Sequence, residues 1–234
     1  MNIPAFGSEF LRIGRTYDAA NPAVAGIDIY PADVHTVKDN KNWFQFEYKV
    51  VKNSSDVNKL LDISGELSLK VKAGLVNVQG SGKYLSDSKK EEDTTELLAV
   101  LKCFTVTETI VGLPNVLDHV EKNPCLGTHF VRGVTYGAEL VASMKIKASS
   151  DSEKLDIQGR AEGKVTAEAA DVKLKAQLKS LATKCSNLSD VDIKYYATEL
   201  PEKIDTGVDG MVKLIEEFPS RLANSKHPDG VPLK

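Results

Sequence analysis

Two stretches of the chain carry two hydrophobic periods at once. From 155 to 169, Leu155, Ile157, Gly159, Ala161, Gly163, Val165, Ala167 and Ala169 alternate with Asp156, Gln158, Arg160, Glu162, Lys164, Thr166 and Glu168, which is the period of a strand. Val172, Leu174, Ala176 and Leu178 resume the alternation against Lys173, Lys175, Gln177 and Lys179. The same stretch sets Ile157, Ala161, Val165, Ala169, Val172 and Ala176 three or four residues apart, one face of a helix. Residues 60–78 behave alike: Leu67, Leu69, Val71, Ala73 and Leu75 alternate with Ser68, Lys70, Lys72 and Gly74, while Leu60, Ile63 or Ser64, Leu67, Val71, Leu75 and Val78 trace a helical stripe. A segment that satisfies both periods is a candidate for changing from helix to strand. A membrane-spanning strand needs about 9 to 11 residues, with one face toward lipid and the other toward water. The run from Leu155 to Ala169 is long enough, although Ala and Gly make a weakly apolar face. The plainer alternative is a pair of ordinary amphipathic helices or half-exposed strands.

The rest of the pattern predicts a scaffold of long strands. After a loop-rich start with short strand candidates at 10–17 and 26–30, residues 43–51 place Phe44, Phe46, Tyr48 and Val50 opposite Gln45, Glu47 and Lys49. Leu97 to Val111 is rich in Leu, Val, Thr and Phe, residues that favour strands. Pro114 suits the first position of a short helix over 114–122, and 127–146 reads as another long strand interrupted by Gly133 and Gly137. A polar hinge at 149–152 precedes the second dual-period stretch, and 190–197 is a further strand candidate. Met211, Leu214, Ile215 and Phe218 define the apolar side of a helix over 208–224, with a bend at Pro219. Val231-Pro232-Leu233-Lys234 reads as the lead-in to a missing strand.

Composition narrows the function. With 234 residues and 41% hydrophobic positions the chain can build a real core. Thirty basic against 33 acidic residues give a net charge of -3, interspersed along the chain. No basic stripe for nucleic acid results. Cys103, Cys125 and Cys185 show no CxxC spacing, which argues against a zinc site or a disulfide framework and for buried free thiols. The start lacks a basic segment followed by an apolar one, so no secretory signal is visible. No run approaches the ~18 to 20 apolar residues of a transmembrane helix, so membrane contact is expected to need a rearrangement or a closed barrel.

Individual residues point away from catalysis. His129 has no nucleophile, carboxylate or second histidine at a recognisable spacing, and His35, His119 and His227 are scattered. Gly80-Ser81-Gly82-Lys83 lacks the GxxxxGK[ST] spacing of a phosphate loop. Lys70, Lys72, Lys164, Lys173, Lys175 and Lys179 suit a solvated helix face, and equally the water-filled lumen of a barrel. Tyr195-Tyr196 suits core or interface packing.

Leu126-Gly127-Thr128-His129-Phe130, followed by Tyr136-Gly137, resembles the signature of the membrane-attack-complex/perforin and cholesterol-dependent cytolysin (MACPF/CDC) superfamily. Three passages look more like the amino-terminal domain of the stonustoxin/verrucotoxin-like toxins: 4–18, 80–90 and 128–138. Leu126 stands in place of an aromatic residue, and Ala138 in place of a second Gly. The resemblance implies an α+β fold, a bent, twisted four-stranded antiparallel sheet flanked by two helical clusters, with the closing strand lacking. It implies one domain over 1–234, with convertible clusters at about 56–90 and 149–186. Gly127, Thr128, His129, Phe130, Tyr136 and Gly137 would mark the sheet bend. Leu67, Leu69, Val71, Leu75, Leu155, Ile157, Val165, Val172 and Leu174 are the candidate membrane-inserting residues.

The function expected is that of a pore-forming, non-enzymatic protein that oligomerises and converts both clusters into membrane-spanning β-hairpins. The alternative is a non-lytic interaction or oligomerisation module that never inserts. Expected partners are membrane lipid and a homo- or hetero-oligomer, with no cofactor, metal, nucleic acid or small-molecule substrate. The expected location is secreted without a visible signal peptide, or cytoplasmic, and membrane-associated after oligomerisation.

Overall fold

A computed structural model describes residues 12–18, 26–64, 68, 71–72, 79–87, 94–112, 115–117, 120, 127–147, 150, 152, 155, 191–198, 207–224 and 229–233. Four long strands form its centre: β2 (Thr36–Val51), β3 (Thr94–Ile110), β5 (Gly133–Lys147) and β6 (Val191–Ala197), in that spatial order and all antiparallel. Two short strands, β1 (Thr16–Tyr17) and β4 (His129–Phe130), make a separate ribbon. The antiparallel sheet and α+β class expected above are therefore present, with a short fifth strand added on the edge of β5.

The middle strands carry unbroken apolar runs because both faces of the sheet are covered. Leu97, Ala99, Leu101, Leu140, Ala142, Met144 and Ile146 pack against helix α3 (Val208–Ala223) through Met211, Leu214, Ile215, Phe218 and Leu222. The alternate residues Leu98, Val100 and Val141 face the opposite way, toward helices α1 (Ser54–Leu61) and α2 (Gly80–Asp87). Asn53 caps α1 by accepting from the Asp56 backbone N–H at 3.0 Å, and Asp62 ends the helix in the left-handed region at φ 58°.

A row of irregularities crosses the sheet. Register shifts between Asn40 and Trp43 on β2 and between Phe104 and Val106 on β3 lie level with Gly137 on β5. Extra residues bend a strand and raise its twist. Gly137 is required there, since a Cβ would lie 1.9 Å from the Cys103 carbonyl oxygen.

Several local expectations change. Strand β2 begins at Thr36 rather than Trp43, because pairing with β3 holds a mostly polar, exposed segment that burial does not. The helix expected from Pro114 is not formed at 115–117, where the Leu117 N–H instead donates to the Ile29 carbonyl at 2.9 Å. The long strand expected over 127–146 is split at Val131 and Arg132. Val131 turns to exchange backbone bonds with Gly14 and Arg15, and the Arg132 carbonyl accepts from Ile110. Val231 and Pro232 themselves form a strand, β7, which pairs with Gly137 and Tyr136 on the edge of β5 beyond the end of β6. Helix α3 runs through Pro219.

Candidate functional site

The first dual-period stretch lies within the connection from β2 to β3. Most of its described part is helical, in α1, at Ser68, Val71 and Lys72, and in α2, whereas Asp62, Ile63 and Ser64 leave the helix after α1. Val57, Leu60, Leu61, Ile63, Val71, Tyr84 and Leu85 cluster with Leu98, Val100 and Val141 of the sheet. Leu61, Val71, Tyr84 and Leu85 are all 2% exposed or less. Burial of such a side chain is worth about 1.5–3 kcal/mol, so four of them hold the segment firmly while the face stays dry.

Polar contacts add direction to that packing. Glu96 Oε1 accepts from the Tyr84 hydroxyl at 3.0 Å and from Ser143 Oγ at 2.6 Å, and the Tyr84 ring meets Tyr196 edge-on at 5.6 Å. Further along the same face, beyond Val100 and Val141, Lys102 and Glu139 sit opposite each other on β3 and β5 with Nζ to Oε1 at 3.7 Å. Glu139 Oε2 accepts from the Ser81 N–H at 2.8 Å, and Lys102 Nζ donates to the Leu61 carbonyl at 3.0 Å. The Gly80-Ser81-Gly82 turn thus presents its N–H to a carboxylate of the protein itself. Sequence reasoning missed these residues. The available signal was a lone cation in Leu101-Lys102-Cys103 and a lone anion in Ala138-Glu139-Leu140, charges where neighbours are core.

Burial shapes the titration of two groups. It is the largest cause lifting the Tyr84 hydroxyl far above the usual tyrosine range, with Glu96 adding to it, and it pushes the Cys103 thiol up to about 12. Both stay protonated in the fold at pH values where the unfolded chain ionises. The contribution of Cys103 to stability is therefore full below the ordinary thiol value of 9.0 and falls as pH rises toward about 12, and that of Tyr84 is full below the ordinary tyrosine value of 10.0 and falls above it. Urea midpoints should be equal at pH 7 and pH 8 and clearly lower at pH 10.5.

The residues of the sequence signature fall in two places. Gly127 has φ 75°, a conformation that favours glycine, and a Cβ there would crowd the Tyr17 carbonyl carbon at 3.0 Å. Thr128 donates its N–H to the Tyr17 carbonyl at 3.2 Å and its hydroxyl lies 2.7 Å from His129 Nδ1, while Phe130 meets Tyr30 edge-on at 5.6 Å. His129 and Phe130 form β4 of the β1–β4 ribbon, Gly127 and Thr128 lead into it, and Tyr136 and Gly137 belong to β5. Of the candidate inserting residues, Val71 is helical and 1% exposed and Leu155 is helical and 68% exposed. Leu67, Leu69, Leu75, Ile157, Val165, Val172 and Leu174 lie outside the described residues, as does nearly all of 149–186.

The outer edge of β2 has no strand partner among the described residues. Val37, Trp43 and Phe44 on it are exposed by 52%, 49% and 57%, and Trp43 stacks on Phe104 at 4.4 Å. An open, apolar strand edge is a template for pairing with another chain. Among the described residues no group of three metal-ligating side chains occurs, and no helix is long and apolar enough to cross a membrane.

An antiparallel sheet sandwiched between one long helix and a helical insertion is the class of fold seen here, and the solved structure of stonustoxin shares it. That structure matches with a TM-score of 0.62 at 20% identity, covering 99% of this chain and 30% of its own. In sequence, stonustoxin subunit alpha of Synanceia horrida is 28% identical over 246 residues, 99% of this chain and 34% of that one. Cytolytic toxin-alpha of Scorpaena plumieri is 29% identical over 200 residues, 80% of this chain and 28% of that toxin. A more distant likeness joins the chain to a non-hemolytic pneumolysin from Streptococcus pneumoniae, at a TM-score of 0.43 and 13% identity over 82% of this chain and 39% of that one. No protein-family model matches. The chain spans about a third of the length of the curated stonustoxin subunit it matches. The resemblance to stonustoxin/verrucotoxin-like proteins drawn from the sequence holds over nearly the whole chain.

Proposed function

We propose that this chain is a non-enzymatic, pore-forming, MACPF/CDC-like domain over 1–234. It oligomerises through strand edges and converts two helical clusters, at about 56–90 and 149–186, into membrane-spanning hairpins. One observation carries this reading. Both dual-period stretches connect antiparallel neighbours, β2 to β3 and β5 to β6, and they leave from the same end of the sheet. Val51 pairs with Glu96, Thr94 with Lys147, and Ile146 with Val191. Straightening residues 52–93 and 148–190 would prolong four adjacent strands in their existing register. Each connection is long enough for two spanning strands of about 9–11 residues.

The alternating apolar positions would then face lipid, worth about 25 cal/mol per Å² buried. The lysines between them would face a water-filled lumen. An open hairpin in lipid leaves backbone groups unpaired, so insertion follows assembly of a homo- or hetero-oligomeric ring. The exposed edge of β2, with Trp43 and Phe44, suits that assembly. The relatives named as toxins support membrane lipid as the target and secretion as the route to it.

Liposome dye release with negative-stain microscopy tests the reading. Dose-dependent leakage with rings on the vesicles is the expected result. Absence of leakage alongside stable lipid-free oligomers would replace it with a non-lytic interaction module built on the same edge.

A further inference from the structure

We infer that Lys102 and Glu139 form a charge clasp that grips the C-terminus of α1 and the N-terminus of α2 and sets the barrier to the release of the first helical segment from the sheet. The inference rests on the proposal that this segment detaches. Its physical basis is the pairing of sign with helix end. Leu61 is the last residue of α1, where the unsatisfied carbonyls make a negative pole, and Lys102 Nζ donates to its carbonyl at 3.0 Å. Ser81 lies in the first turn of α2, at the positive pole, and donates its N–H to Glu139 Oε2 at 2.8 Å. The two charges are register partners on the central strands, so one rigid point on the sheet holds both helices. Gly80 makes the approach possible: it has φ 51°, and a Cβ there would lie 2.6 Å from Glu139 Oε2.

The environment makes the clasp conditional. The side chains of Lys102 and Glu139 are 12% and 6% exposed, and charge-assisted hydrogen bonds are strong in such a dry setting. Buried ion pairs are poor sources of net stability compared with apolar residues of the same size. Leu98, Val100 and Val141 on the same face show what a purely structural choice looks like. Charge differs from those neighbours in its behaviour after release. Once the helices lift, Lys102 and Glu139 meet water, where their attraction is screened and their exposure carries little penalty. The closed state is held by contacts that lose their strength as soon as water enters. Glu96 with Tyr84 and Ser143 supplies a second attachment for α2 only.

Native-state amide hydrogen exchange on the lipid-free chain reads the clasp directly. Glu139→Gln should speed exchange about tenfold or more in peptides covering 54–61 and 80–87, with β3 and β5 unchanged. The double reversal Lys102→Glu with Glu139→Lys keeps an ion pair and inverts the sign at each helix end. It should exchange as fast as Glu139→Gln. Wild-type protection in the reversed protein, or in Glu139→Gln, would overturn the inference. Should either charge variant fail to fold, Gly80→Ala disturbs the same contact from the helix side, and it should speed exchange over 80–87 while sparing 54–61. Unchanged exchange there would count equally against the clasp. No membrane enters these measurements, so a failure to permeabilise liposomes would remove the pore reading and leave this result standing.

Discussion

Bridging residue 87 to residue 194 through a short reducible linker should reduce dye release from liposomes to background, and reduction should restore it in full. Asp87 closes α2, and Lys194 lies on β6 two residues before Tyr196, hence on the same sheet face. Burial and then the charge of Asp87 push the Tyr196 hydroxyl up, which puts Asp87 close to that face. Both side chains are substantially exposed, 39% and 60%, and their ion pairs with Lys83 and Asp192 are surface pairs. Such pairs contribute about 0–1 kcal/mol, so Asp87→Cys with Lys194→Cys should leave the fold intact. Cys125 and Cys185 are replaced by Ser beforehand, and a bis-thiosulfonate reagent then joins the new cysteines. Straightening residues 52–93 into extensions of β2 and β3 requires α2 to leave the side of β6. The linker forbids that movement and touches nothing else. Full leakage from the bridged protein would show that the segment does not move.

Strands were legible in the sequence wherever burial dictated them. Leu97 to Leu101 and Leu140 to Ile146 carry apolar residues on both faces because α3 covers one and α1 with α2 the other. The stripe of Met211, Leu214, Ile215 and Phe218 gave α3 its position for the same reason. Residues 36–42 were not legible, since Lys38-Asp39-Asn40 becomes strand only through backbone pairing with β3, and Lys41-Asn42 falls in the register shift that follows. Pro114 suited a helix start locally, but the neighbouring segment was taken up by pairing of Leu117 with Ile29, a partner far away in sequence. The Val131–Arg132 break has the same origin, in bonds to Gly14, Arg15 and Ile110.

The candidate site was legible in part. Dual periodicity pointed to 60–78; of the described residues there, Leu60, Leu61, Ser68, Val71 and Lys72 are helical, and Leu60, Leu61, Ile63 and Val71 pack on the sheet. The residues that hold α1 and α2 down, Lys102, Glu139 and Glu96, were hidden because an alternating strand ordinarily places charge on its solvated face. Their burial comes from helices that a single strand's pattern does not reveal. Gly80-Ser81-Gly82, dismissed as a phosphate loop, proved to be an anion-binding turn whose anion is Glu139.

The central claim is that one stretch of chain is a helix on the sheet and a strand in the membrane. A cysteine scan over 67–75 with an environment-sensitive fluorophore tests it, one labelled position at a time, on liposomes. In solution the labels should follow a period near 3.6, with the site at Val71 shielded as its 1% exposure requires. On membranes, labels at 67, 69, 71, 73 and 75 should brighten while those at 68, 70, 72 and 74 stay in water, a period of two. An unchanged helical period on vesicles that are leaking would contradict the account.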